Sequence, residues 1–172
     1  MGNYVATPQL DFVEALQLAW RKLFEFNGRS RRSEFWWSIF AFYIIYFVLN
    51  MIISLILPAI PATILSSLLW IVPMGVTIRR LQDNEHSKWW VILSFIISMA
   101  YNVHLINSDF MFELASVNFN TEAVASSLIE DKTLMILSIL NSFFTIVIFV
   151  MCMIDGNPEP NKYGESPKYE LK

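Results

Sequence analysis

The sequence predicts an all-α integral membrane protein, a single membrane domain over residues 1–172 with four transmembrane helices and an N-terminal amphipathic interfacial helix. Three observations predict it. Charged residues come in blocks, and the uncharged runs between them are long enough to cross a bilayer, which takes about 20 residues of helix. Lysine and arginine crowd into segments that fall on one side of that bilayer. Tryptophan pairs stand where two of the uncharged runs begin. Composition agrees: the chain is 55% apolar and 16% charged, against roughly 45–50% and about 25% in soluble domains.

The first element is "DFVEALQLAWRKLFEF". Phe12, Leu16, Ala19, Leu23 and Phe26 recur at helical spacing with Trp20 beside them, while Glu14, Gln17 and Arg21 lie off that stripe. This predicts an amphipathic helix over residues 9–27, lying on the inner membrane surface or against the bundle and ended by Gly28. From Phe35 to Ile78 no residue is charged. As one helix this run would be about 66 Å long, roughly twice the hydrocarbon thickness, so it must fold back. Pro58 and Pro61 mark the turn, giving transmembrane helices at about 35–57 and 62–78.

Pro73 and Gly75 predict a kink in the second span, as a packing feature or as a hinge. The third span is expected at about 89–107. The fourth, at about 133–154, is stopped by Asp155-Gly156. The segment 108–132 is too long for a loop without structure of its own. Val124, Leu128 and Met135 put the start of the last helix near Thr121, and Phe110, Met111, Leu114 and Val117 suit the outer surface. The tail, 155–172, carries three prolines and mixed charge and is expected to be irregular, its first half ordered at most against the inner loops.

Orientation follows from the cations. Arg21, Lys22, Arg29, Arg31 and Arg32 precede the first span, Arg79, Arg80 and Lys88 lie between the second and third, and Lys162, Lys168 and Lys172 follow the fourth. Lys132 alone lies on the other side, with Asp109, Glu113, Glu122, Glu130 and Asp131. This predicts a multi-pass membrane protein with both termini cytoplasmic. Trp36, Trp37, Trp89 and Trp90 then stand at the inner headgroup layer as interface anchors, where an indole keeps its ring in apolar surroundings and its N–H near water.

Two polar clusters share that inner face. One is Arg29, Arg31, Arg32 and Glu34; the other is Arg79, Arg80, Asp83, Glu85, His86 and Lys88. Mixed charges at an interface pair, so Arg79 or Arg80 with Glu34, and an N-terminal arginine with Asp83, is the expected interhelical network. Arginine forks would hold anionic lipid headgroups by the same chemistry. A catalytic use of Asp83 and His86 finds no nucleophile elbow, His-Glu-x-x-His pair or glycine-rich phosphate loop around it. Cys152 is the sole cysteine, which excludes an intrachain disulfide, and His86 and His104 fall on opposite sides, so no metal or other cofactor is expected. His104 is the one acidic or basic residue expected inside a span, near its outer boundary, which argues against a proton relay. Asn50 and Asn141 suit hydrogen bonds between helices. A net charge of −3 does not suit a nucleic-acid partner. The N-terminus lacks the basic region of a signal peptide.

Three motifs together resemble a known family: "FEFNGRSRRSEFWW" (Phe24–Trp37), "RRLQDNEHSKWW" (Arg79–Trp90) and "DGNPEPNKYGESP" (Asp155–Pro167). They are similar in order and spacing to the small bacterial inner-membrane proteins of domain of unknown function 805. The resemblance carries over Gly28, Arg29, Arg32, Glu34, Phe35 and Trp36, then Arg79, Arg80, Leu81, Asp83, Ser87, Trp89 and Trp90, then Asn161, Tyr163 and Gly164. The chain departs at Lys88, where the family usually has glycine, and at Glu85, where small or basic residues are frequent. The resemblance implies a four-helix protein located in the bacterial inner (plasma) membrane and brings no established activity, cofactor or catalytic residue.

The functional expectation is a non-enzymatic inner-membrane module whose basic and aromatic cytoplasmic face binds anionic membrane lipids, a protein partner or a second copy. A small transporter or channel subunit hinged at Pro73 and Gly75 is the alternative, and an enzyme acting on lipid-linked phosphate the third reading.

Overall fold

A computed structural model of the protein describes residues 4–108 and 120–171. The elements are β1 (Tyr4–Ala6), α1 (Phe12–Arg21), α2 (Arg32–Ile56), α3 (Ala59–Leu68), α4 (Met74–Asp83), α5 (Trp89–Ile106), α6 (Thr121–Glu130), α7 (Lys132–Met153) and β2 (Tyr169–Leu171). Four stretches are long and apolar enough to cross a membrane: α2, α3 with α4 over Ala59–Asp83, α5, and α7. Only 6–22% of each is buried inside the bundle, and side chains such as Phe47, Leu55 and Ile56 are 67–84% exposed. An apolar belt of that extent on every long helix requires lipid around it. The protein is an all-α membrane protein.

α5 packs most extensively on α7, α3 on α5, and α2 on α3 and α4. Polar pairs tie the helices within the apolar zone. The Ser66 hydroxyl donates to Asn50 Oδ1 (2.5 Å) between α2 and α3, and the Ser98 hydroxyl to Asn141 Oδ1 (2.5 Å) between α5 and α7. The Asn102 amide donates to Ser67 Oγ (3.1 Å) between α5 and α3. In lipid each such bond contributes about 0.6 kcal/mol, up to about 1.7. The tightest core is elsewhere, at the end bearing both termini: Phe35, Val76, Ile78, Leu81, Val91 and Cys152.

Several boundaries differ from the sequence expectation. α1 starts on a capping box, Asp11 Oδ1 accepting from Glu14 N (2.8 Å) and Glu14 Oε2 from Asp11 N (3.1 Å), and it ends at Arg21 rather than near Gly28. Its buried residue is Ala15, off the expected stripe, while Trp20 is 76% exposed. α3 begins at Ala59, with Pro58 as N-cap and Pro61 in the first turn, where a missing N–H leaves no bond unmade. The second span is broken by a 3-10 turn at Leu69–Ile71, and Pro73 caps α4 instead of kinking a continuous helix. α4 continues through Arg79, Arg80 and Asp83, which the sequence placed in a loop. Glu85, in the turn to α5, has φ +61°, a left-handed conformation that favours glycine.

The tail is not irregular throughout. β2 pairs antiparallel with β1, Tyr4 opposite Leu171, and Asn161 bridges Gly164. At the far end, a helix does begin at Thr121, as expected, but Asp131 interrupts it and caps α7 by accepting from Leu134 N (2.9 Å). That N–H holds the Asp131 carboxyl below the ordinary carboxylate range. His104 Nε2 lies 2.8 Å from Asp131 Oδ2 and ties α5 to this corner. The expectations for Asp109, Phe110, Met111, Glu113, Leu114 and Val117, and for the side chains of Val124 and Leu128, lie outside the described residues.

Gly75 has a packing role. A Cβ there would lie 2.4 Å from the Leu23 carbonyl oxygen, so α4 touches backbone at this point. Gly75→Ala is expected to cost about 1–3 kcal/mol through this overlap, read as a lower unfolding temperature in detergent. An unchanged temperature would show that the contact does not constrain the helix.

Candidate functional site: a buried arginine–carboxylate clasp

The site is assembled around the last turn of α4. Residues 79, 80 and 83 stand at i, i+1 and i+4, so Asp83 is a helical neighbour of both arginines. Arg80 Nη1 donates to Asp83 Oδ2 at 2.7 Å, and Arg29 Nε, from the α1–α2 loop, donates to Asp83 Oδ1 at 2.7 Å. Each carboxylate oxygen thus has its own guanidinium. Arg79 Nη2 donates to Glu34 Oε1 on α2 at 3.1 Å. These side chains are 1–4% exposed.

With Arg31 also buried, four cations face two carboxylates. Backbone carbonyls take most of the remaining donors, Arg79 Nε staying without a partner among the described residues, and carbonyls at helix ends carry partial negative charge. Arg80 donates to Cys152 O (3.1 Å) and Ile154 O, and Asn84 Nδ2 to Met151 O (3.2 Å) and Ile154 O (3.1 Å). Together they cap α7, whose last turn has no basic residue. Arg79 Nη1 donates to Lys22 O (2.5 Å) and Glu25 O (2.8 Å), just past α1. Arg29 donates to Asn157 O, Glu159 O (2.8 Å) and Gly164 O (3.3 Å) of the tail. Arg31 reaches the N-terminal segment at Pro8 O (2.6 Å), Thr7 Oγ1 (3.2 Å) and Thr7 O (3.4 Å).

Each arginine therefore holds one piece of chain: Arg31 the N-terminal segment, Arg79 the end of α1, Arg80 the end of α7, and Arg29 the tail. Amides finish the closure. Gln82 Nε2 donates to Phe26 O (3.1 Å) and Asn161 Nδ2 to Gln82 O (3.0 Å). Two glycines make room. A Cβ on Gly156 would fall 1.9 Å from Asp83 Oδ2, and Gly28 holds φ +129°, which lets the chain turn into Arg29.

The other sequence candidates divide. Arg32 lies outside the cluster, its side chain 49% exposed and 3.7 Å from Asp155. Asp155 bonds Lys168 Nζ at 2.8 Å, which holds its carboxyl below the usual range and the Lys168 ammonium above its own. Both pairs are open to solvent and contribute little. Each tryptophan pair splits, because adjacent residues on a helix point about 100° apart. Trp37 (41%) and Trp89 (66%) face outward, whereas Trp36 packs on Phe35 and Phe149 and Trp90 on Phe144. Asp83, which a catalytic reading would want as a free base, has both oxygens held by arginine. Sequence reasoning passed over Gln82 and Asn84; their signal was two amides standing among the charges of "RRLQDN".

Four apolar spans closed at one end by such a clasp define a small multi-pass helical membrane protein. The chain belongs to the family described as Protein of unknown function (DUF805), which matches residues 23–165 and so takes in the clasp from Arg29 to Gly164. It is 34% identical over 77 residues to the inner membrane protein YhaH of Escherichia coli K12, and equally to that of Escherichia coli O157:H7. The matched part is 41% of this chain and spans 64% of each relative's length. No solved structure matches the chain.

Proposed function

We propose that the protein is a non-enzymatic module of the bacterial inner membrane, its termini in the cytoplasm, whose rim of exposed cations and aromatics at that end holds anionic lipid headgroups. The carrying observation is how the basic residues are divided. Arg29, Arg31, Arg79 and Arg80 are buried against carbonyls and carboxylates, whereas Arg21 and Arg32 are exposed. Exposed beside them are Trp20 (76%), Phe24 (73%), Trp37 and Trp89. Cations among aromatics at the mouth of the spans suit a headgroup layer bearing phosphate. The inner-membrane name of the relatives and the crowding of cations at this end support the orientation. A transport role hinged at Gly75 has less support, since movement there would break the contact with Leu23.

The test is native mass spectrometry of the full chain released from nanodiscs of mixed phosphatidylglycerol and phosphatidylcholine. Arg21→Ala with Arg32→Ala is expected to lose retained phosphatidylglycerol and leave the unfolding temperature unchanged. Equal retention by the variant and the unaltered protein would overturn the proposal.

A further inference from the structure

Between α2, α3, α4, α5 and α7 lies a cavity of about 550 Å³, set within the spans and lined by no charged residue. A second cavity of about 500 Å³ adjoins it at Tyr46, Ser67 and Asn102. Its walls are aromatic: Trp70 stands against Tyr43 and Tyr46 with ring centroids 5.5–5.7 Å apart, and Trp36 and Phe149 close the clasp end. Its floor is polar. Ser94, Ser98 and Asn102 recur every four residues on α5 and line it together with Asn141 of α7.

Two of those polar groups are half used. Asn141 accepts from Ser98 through Oδ1, and its amide N–H groups have no partner among the described residues. Asn102 donates to Ser67, and its carbonyl oxygen accepts from nothing among the described residues. Water does not reach hydrocarbon depth, so an open amide there favours a ligand that completes it. Asn102 stands one helical turn beyond the Ser98–Asn141 pair, roughly 6 Å along α5. That is the span of a six-membered ring with oxygens at opposite ends.

We propose that this cavity binds an uncharged, ring-headed lipid of the quinone class, entering from the bilayer. A ring carbonyl accepts from the Asn141 amide, or in the reduced form a ring hydroxyl donates to the Asn102 carbonyl. The ring lies among Tyr43, Tyr46 and Trp70. The absence of any cation from the lining disfavours a phosphate headgroup, which separates this site from the headgroup rim proposed above.

The experiment titrates decylubiquinone into the full chain in detergent and reads tryptophan fluorescence, with quinone carried through gel filtration as a second readout. Saturable quenching with stoichiometric carry-through is expected. Asn141→Leu and Asn102→Leu should each bind about tenfold more weakly or worse. Ser94→Phe, which fills the cavity and keeps both amides, should abolish binding at an unchanged unfolding temperature, so the test survives if an asparagine variant fails to fold. Quenching that never saturates, quinone lost on gel filtration, equal affinity in Ser94→Phe, or full displacement by diacylglycerol would each overturn the proposal.

Discussion

Asp83→Ala is expected to lower the stability of the bundle by about 3–5 kcal/mol, enough to shift the purified protein to aggregate in mild detergent. The carboxylate is the common partner of Arg29 and Arg80 at 2.7 Å on each side. Its loss leaves two guanidinium groups facing each other where water does not reach. Removing one partner of a buried pair is the costly operation, since exchanging both for apolar groups is often nearly neutral. Arg29→Met should therefore cost less in the Asp83→Ala background than in the unaltered protein, with a coupling of about 0.5–3 kcal/mol in the cycle. Asp83→Asn, which keeps the shape and one acceptor, should fall between. Thermal unfolding followed by size-exclusion fluorescence measures all of these. An Asp83→Ala protein that unfolds with the unaltered one would show that the clasp holds nothing.

Arg79→Ala is the second large effect, also about 3–5 kcal/mol. It leaves Glu34, 1% exposed, without its cation, and frees the carbonyls of Lys22 and Glu25. Its signature differs from that of Asp83→Ala. The end of α1 is released first, so limited proteolysis should cut between α1 and α2 before any other site. Glu34→Gln should restore part of the lost stability in the Arg79→Ala background, because it removes the stranded charge and keeps an acceptor. By contrast, Arg32→Ala should change stability by under about 1 kcal/mol, since its ion pair is half exposed. Equal losses from Arg32→Ala and Arg79→Ala would contradict the division between clasp and rim.

Much of this architecture is legible in the sequence because the bilayer simplifies the problem. Charge-free runs give the spans, and the pairing of arginines with Glu34 and Asp83 follows once two mixed-charge blocks fall at the same end. What was not legible depends on long-range backbone partners. The tail reads as irregular from its prolines, but composition does not register that Arg29 takes the carbonyls of Asn157, Glu159 and Gly164. Pro58, Pro61 and Pro73 read as breakers, yet each sits at a helix start, where proline does no harm. Gly75 reads as freedom and is instead a close contact, which only the position of Leu23 reveals. The cavity floor was half legible: Asn141 was expected to join helices, but nothing local shows that only one side of its amide is used.

The order in which the chain is made gives the clasp a further meaning. Arg29, Arg79, Arg80, Glu34 and Asp83 are all synthesised by the end of α4, but the carbonyls of Cys152, Ile154, Asn157, Glu159 and Gly164 come last. Until then Arg29 and Arg80 have Asp83 but lack most of their acceptors, and the cluster carries surplus positive charge. Closure of the clasp thus waits on the end of α7 and the segment that follows it. A chain truncated within α7 would keep Arg29 and Arg80 without the carbonyls of Cys152, Ile154, Asn157, Glu159 and Gly164.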